Sequence, residues 1–205
     1  ELFESRRNNN QINKSGKYID SLVPYFGNKG AYVSFQRTPK LGINPRPMDP
    51  STPIGLYAYP LESEHVIKNI LSKELEYGSD FPYVFLIIAD TKNEISNNSS
   101  VEEPFRKLEE YVKKHSPEYY DTFASYKRDS IDHLYHMIRR LSGRHNKPDQ
   151  PDWRSPNNQP GMMNKLLRVC GIDILTDLGE GIIGVEMAQS VFVSAKPIYS
   201  VEKFY

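Results

Sequence analysis

The segment 81–90, FPYVFLIIAD, is the most hydrophobic stretch of the chain. Its length, its β-branched and aromatic side chains, and the nearby Gly78 and Pro82 favour a β-strand that is buried on both faces. Two shorter apolar runs, at 31–35 and 54–61, precede it and have the same character. Prolines between these two runs exclude a helix there and impose an extended loop. The first part of the chain therefore predicts three strands.

A block with helical periodicity follows these strands. Apolar residues at helical spacing predict one helix before Ser116 and a second one after it. We expect the two helices to pack as an antiparallel pair within 101–142, because each apolar stripe needs a partner. This contact should bury Leu134 and Ile138.

The last part of the chain returns to strand character. Residues 144–160 contain four prolines and predict a long exposed loop. A short helix is predicted over 162–170, and strands are predicted within 171–205. A further helix, capped by Ser63, is expected between the second and third strands. Strands, then helices, then strands predict an α+β fold in which a helical block is inserted into a mostly β scaffold.

Length and charge set the organisation and the range of partners. The 205 residues fit one domain, and we expect a polar segment or linker over 1–30 and a single domain over 31–205 with a helical insertion at 101–160. Lys plus Arg equals Asp plus Glu, 26 against 26, so no net field attracts nucleic acid or an anionic membrane. No apolar run is long enough to span a bilayer, so we expect a soluble protein without a membrane partner. The first residue is Glu1 rather than Met, which suggests a piece of a longer polypeptide.

Short motifs of known chemistry give little support to the common enzyme classes. The chain contains no GxGxxG, Walker, GxSxG or HExxH pattern. His133 and His136 would share a helix face, but half-exposed histidines are favoured over metal ligands. Cys170 lies in an apolar run, which favours a buried small side chain over a nucleophile. We predict no metal site.

Three short motifs follow one another along the chain. They are Gly55-Leu56-Tyr57 on a strand before a helix, Gly171-Ile172-Asp173 before a Gly-rich turn, and Glu186-Met187-Ala188-Gln189 followed by Val191-Phe192. This order resembles the ADP-ribosyltransferase fold, in particular the versions in phage minor-head proteins and in large polyvalent phage or mobile-element proteins. The resemblance covers 31–90 and 165–205, and it implies an ADP-ribosyltransferase-like split β-sheet with an inserted helical block.

The resemblance also implies a substrate and a site. The donor substrate would be NAD, and no metal would be needed. ADP-ribosyl transfer passes through an oxocarbenium-like state, which a carboxylate near the ribose 2′-hydroxyl stabilises. The implied catalytic candidates are Glu186 and, as a fallback, Glu180. The residues expected to contact NAD, the tyrosines by stacking on nicotinamide and the arginine at the pyrophosphate, are Tyr57, Tyr59, Ser34, Arg37 and Gly55.

Three functions stay open at this point. The first is an NAD-dependent ADP-ribosyltransferase that modifies a host protein or nucleic acid as part of a longer phage or mobile-element polypeptide, in a virion or in the host cytoplasm. The second is a catalytically inactive module of the same fold with a structural or interaction role. It is suggested by Val33-Ser34-Phe35, where family members carry His or Arg, and by Met187, where they carry proline. The third is nucleic-acid binding by the helices of 101–145, which needs a continuous basic stripe along 118–142.

Overall fold

The computed structural model describes residues 20–36, 38–42, 52–62, 83–143, 158–177 and 189–203. The strands are β1 Ala31–Gln36, β2 Leu56–Pro60, β3 Tyr83–Ala89, β4 Glu94–Ser96, β5 Ile174–Asp177, β6 Gln189–Phe192 and β7 Ile198–Lys203. The α-helices are α1 Glu102–His115, α2 Tyr120–Ala124, α3 Ile131–Ser142 and α4 Gln159–Val169, with short 3-10 helices at Val23–Tyr25 and Pro117–Tyr119. Strands on both sides of a helical block confirm the mixed α+β class.

The strands predicted at 31–35, 54–61 and 81–90 are found as β1, β2 and β3, and β5 to β7 lie within the predicted 171–205. Five of the seven residues of β3 are buried, as its continuous apolar sequence predicts. The helix expected after Ser63 lies outside the described residues. None of the helices in the described ranges has the length and the apolar content that a bilayer crossing requires.

The chain forms two compact units. The first consists of Glu1–Leu41, Ala58–Asp90 and Ile198–Tyr205, and the second consists of Gly42–Tyr57 and Thr91–Pro197. The boundary falls within β2, whose first two residues belong to the second unit. A single domain over 31–205 stays a prediction.

The first unit is an antiparallel sheet. β1 lies between β2 and β3, and β7 pairs with the other edge of β3. One face of this sheet carries a core of buried apolar side chains: Leu22, Ala31, Val33, Leu61, Val84 and Leu86. Leu22 is only 1% exposed, so the end of the polar segment 1–30 contributes to this core.

The second unit has a sheet covered on one face by helices. β4 pairs in parallel with β5, β5 pairs antiparallel with β6, and β6 lies beside the start of β2. β4 was not expected, because 93–100 is a polar stretch with the character of a loop. Its backbone nevertheless pairs with β5, and Ile95 packs in the helical core, the cluster of buried apolar side chains from α1–α4 and β4–β6.

The helical block departs from the prediction in two ways. The helix expected after Ser116 is interrupted, because α2 ends at Ala124 and α3 begins only at Ile131. The Ser130 hydroxyl caps α3 by accepting a hydrogen bond from the His133 N–H at 3.2 Å. The expected antiparallel pairing of α1 with α3 is wrong, because α3 packs chiefly on α4, while α1 packs on both α2 and α4. The predicted burial of Leu134 and Ile138 is confirmed.

Candidate functional site

The structure describes four of the seven site residues that the resemblance implies. These four are Tyr57, Tyr59, Ser34 and Gly55. Glu186, Glu180 and Arg37 lie outside the described residues.

Tyr57 occupies the second unit with its ring half-buried against the helical core. Its hydroxyl donates a hydrogen bond to the carbonyl oxygen of Pro53 at 2.7 Å. Both contacts fix the ring at the start of β2, so Tyr57 offers a pre-set aromatic surface rather than a mobile one.

Tyr59 and Ser34 belong to the first unit and do not share a face of its sheet. Tyr59 pairs in register with Val33 and packs on the same core, with its ring edge-on to Phe35 at a centroid distance of 6.0 Å. Ser34 follows Val33 and therefore lies on the opposite face, because side chains alternate along a strand. Ser34 is fully buried, and its hydroxyl accepts a hydrogen bond from the Gln36 amide at 2.7 Å. The sequence grouped these two residues in one site, but the strand separates them.

Close packing requires a glycine at position 55. A Cβ at this position would lie 2.5 Å from the Val191 Cγ2 atom and 2.6 Å from the Phe192 carbonyl oxygen. The backbone at the start of β2 therefore approaches β6 more closely than any side chain allows. The same segment is fixed by α4, since the Asn164 side chain accepts from the Ile54 N–H at 2.9 Å and donates to the Ile54 carbonyl at 2.5 Å.

Gln189 is a candidate that sequence reasoning did not select. It is the first residue of β6 and is 7% exposed, and its side-chain oxygen Oε1 has no hydrogen-bond partner among the described residues. Val191, two residues later on the same face, belongs to the helical core against which Tyr57 packs. Gln189 and Tyr57 thus lie on the same helix-covered side of the second unit. The available signal was its place as the final residue of the motif Glu186-Met187-Ala188-Gln189.

The opposite face of the same strands holds a polar row whose members bond to one another. Thr176 donates to the Glu94 carboxylate at 2.5 Å, and the hydroxyls of Thr176 and Ser190 lie 2.7 Å apart. Because the Thr176 proton points to Glu94, Ser190 is the donor in the second bond. These buried hydroxyls are satisfied within the protein, in contrast to Gln189 on the other face.

The two helix histidines have acidic neighbours on α3 or just before it. The His133 Nδ1 atom lies 2.5 Å from Asp129 Oδ1 and 2.9 Å from Ser130 Oγ, and His136 Nε2 lies 3.3 Å from Asp132 Oδ1. No group of three or more His, Cys, Asp and Glu side chains within the described ranges is placed to hold a metal ion.

Cys170 is buried, as predicted, and burial raises the pKa of its thiol to about 12. A thiol with such a pKa stays protonated at neutral pH and is a poor nucleophile. Cys170 therefore serves as a small apolar side chain in the core of the second unit.

An ion network ties α1 to the segment that follows it. The Glu109 carboxylate accepts from Lys113 at 2.9 Å, from the Tyr120 hydroxyl at 2.8 Å and from Arg128 at 2.7 Å. These hydrogen bonds, chiefly those from Lys113 and Tyr120, lower the pKa of Glu109 to about 2. Arg128, which is also stacked over the Phe123 ring, is thus engaged inside the protein.

Comparisons with models of protein families, with curated proteins and with solved structures returned no match. The function is therefore inferred from the residues of this chain.

Proposed function

We propose that the chain is an NAD-dependent ADP-ribosyltransferase with the split sheet of that fold, acting on a host macromolecule as part of a longer phage or mobile-element polypeptide. The resemblance of its ordered motifs is the starting point. The position of β6 beside the start of β2 supports the proposal, because it places the Gly55-Leu56-Tyr57 motif next to the strand that follows Glu186. NAD would bind on the helix-covered side of the second unit.

The observation that carries the proposal is the buried amide oxygen of Gln189. A buried acceptor without a hydrogen-bond partner costs about 1–3 kcal/mol, so native proteins keep few of them. NAD offers matching donors in its carboxamide N–H groups and its ribose hydroxyls. Gln189 would accept from one of them, while the half-buried Tyr57 ring provides a surface for the nicotinamide.

Gln189 is uncharged, so its role would be to hold the donor substrate. In the reaction, the bond between ribose C1′ of NAD and nicotinamide would break, and nicotinamide would leave with the bonding electron pair. The acceptor would bond to C1′ and lose a proton. The positive charge that develops on the ribose needs a carboxylate, and this role stays assigned to Glu186, with Glu180 as its fallback.

The test compares two neighbouring residues on opposite faces of β6. Gln189→Met keeps the volume but removes the amide, so the NAD dissociation constant, measured by calorimetry, should rise about 5- to 20-fold. The same substitution removes the unpartnered oxygen, so the melting temperature should rise by about 2–4 °C. Ser190→Ala is the matched control. This variant loses a satisfied hydrogen bond, so its melting temperature should be lower than that of the wild type. Its affinity for NAD should be unchanged.

The inactive module of the same fold is the second candidate, and a specific observation favours it. The hydroxyls of Ser34 and Tyr57 are both engaged within the protein, and Ser34 is fully buried. Absence of both NAD binding and nicotinamide release in the unmodified chain would select this candidate over the enzyme.

A further inference from the structure

β7 forms the outer edge of the sheet in the first unit. The order of paired strands ends with it, and among the described residues its backbone pairs with β3 alone. Its other edge therefore presents backbone N–H and C=O groups that a further strand could pair. Five of its six residues are exposed.

Exposed apolar side chains of β7 lie beside buried apolar side chains of β3. Val201 pairs in register with Ile87, which is fully buried, whereas Val201 itself is 43% exposed. Tyr199, two residues earlier, is 73% exposed. An additional strand paired with this edge would cover Val201 and Tyr199. Exposed strand edges with apolar side chains are typical sites of strand pairing with another chain.

The sequence of β7 selects its partner. In an antiparallel pair, two facing residues either both direct their N–H and C=O groups at the neighbouring strand or both direct them away from it. Alternate residues of a strand direct these groups to opposite edges, so facing residues of two identical strands must be an even number of positions apart in the sequence. When a strand pairs with its own copy, the two-fold axis must therefore pass between two identical residues. An axis at Glu202 places like charges opposite each other, and an axis at Ser200 places Ile198 against Glu202. An axis at Val201 sets valine against valine, Tyr199 against Lys203 and Ser200 against Glu202.

The Val201 register is complementary at its centre, where Ser200, Val201 and Glu202 are in regular register, and it brings Lys203 near Tyr199. The two valines form an apolar contact, the Lys203 ammonium meets a Tyr199 ring, and the Ser200 hydroxyl can donate to the Glu202 carboxylate. Within one copy, Lys203 already lies over an aromatic ring, with its Nζ atom 4.7 Å from the centroid of Tyr83. The irregularity of the β3–β7 ladder lies at Tyr199, which faces no residue of β3, whereas Ser200–Lys203 are in regular register.

We propose that β7 is a self-association edge, which pairs antiparallel with β7 of a second copy of this chain about a two-fold axis at Val201. Both copies use the same surface, as a closed two-fold dimer requires. The contact is one short strand on each side, so the dimer is weak and its population depends on protein concentration. This inference is independent of the proposed enzymatic activity.

Single-cysteine crosslinking tests the register directly. Cys170, the single cysteine of the sequence, is buried and does not compete. Val201→Cys should form a covalent dimer under mild oxidation, because facing Cβ atoms lie about 5 Å apart. Ser200→Cys and Glu202→Cys are matched controls at exposed neighbours. Each control variant alone should crosslink at least about tenfold more slowly than Val201→Cys. In this register the two copies of residue 200, or of residue 202, are diagonal neighbours about 7–8 Å apart.

A mixture of the two control variants provides the second measurement. Ser200→Cys mixed with Glu202→Cys should give a mixed disulfide dimer, since these positions face each other. Thermal melts check that every variant is folded. Equal crosslinking at the three positions, or no crosslinking by Val201→Cys and none in the mixture, would overturn the proposal. The second pattern is the one expected if another segment or another protein covers the edge.

Discussion

Adjacent residues of β6 have opposite environments. Ser190 closes a row of hydrogen bonds with Thr176 and Glu94, while the amide oxygen of Gln189 stays without a described partner. The difference follows from strand alternation, which sends one side chain to the polar row and the other toward the helices. Sequence alone could name both residues as polar, but their environments depend on register with β5 and on the helices that cover one face.

Substitution of the two glutamates implied as catalytic distinguishes their roles. If Glu186 stabilises the charge on the ribose, Glu186→Gln should reduce nicotinamide release by about 10²-fold or more and leave the thermal melt unchanged. Glu180→Gln should then have a small effect. The reverse pattern would move the role to Glu180, and full activity in both variants would exclude both carboxylates.

At the scale of elements, strands with strong local signals were predictable and elements that depend on distant partners were not. β3 was recognised because its apolar residues are continuous, and α4 because its apolar residues are periodic. β4 has one buried apolar residue, Ile95. It forms because it pairs with β5, which lies about 80 positions later in the chain. The partner of α3 was also misassigned, because an apolar stripe predicts burial without saying against which helix.

The packing of α3 on α4 can be tested at its centre. Leu134 is 1% exposed, so Leu134→Asp would bury an unpaired carboxylate and should destabilise the protein by about 3–5 kcal/mol. Leu134→Met, which nearly preserves volume, should cost less than about 1.5 kcal/mol. Urea unfolding followed by circular dichroism measures both. Similar midpoints for the two variants would mean that this position is not part of a tight core.

At the scale of the whole molecule, equal numbers of acidic and basic residues limit long-range attraction to polyanions. The ion network around Glu109 neutralises basic groups of the helical block in the same way. We therefore expect the chain to elute from a heparin column below about 0.2 M salt, since binding through several phosphate contacts would persist to higher salt. Retention well beyond that concentration would support the nucleic-acid interpretation.

The double hydrogen bond between Asn164 and Ile54 has a consequence for how the chain acquires its structure. A side chain on α4 here takes the place that a neighbouring strand would occupy, and it lies 110 positions away along the chain. Gly55, one residue later, packs against Val191 and Phe192, which lie still farther along the chain. During synthesis, the Gly55-Leu56-Tyr57 segment therefore leaves the ribosome long before either partner exists. The early segment must wait in a non-native state until the final quarter of the chain has been made.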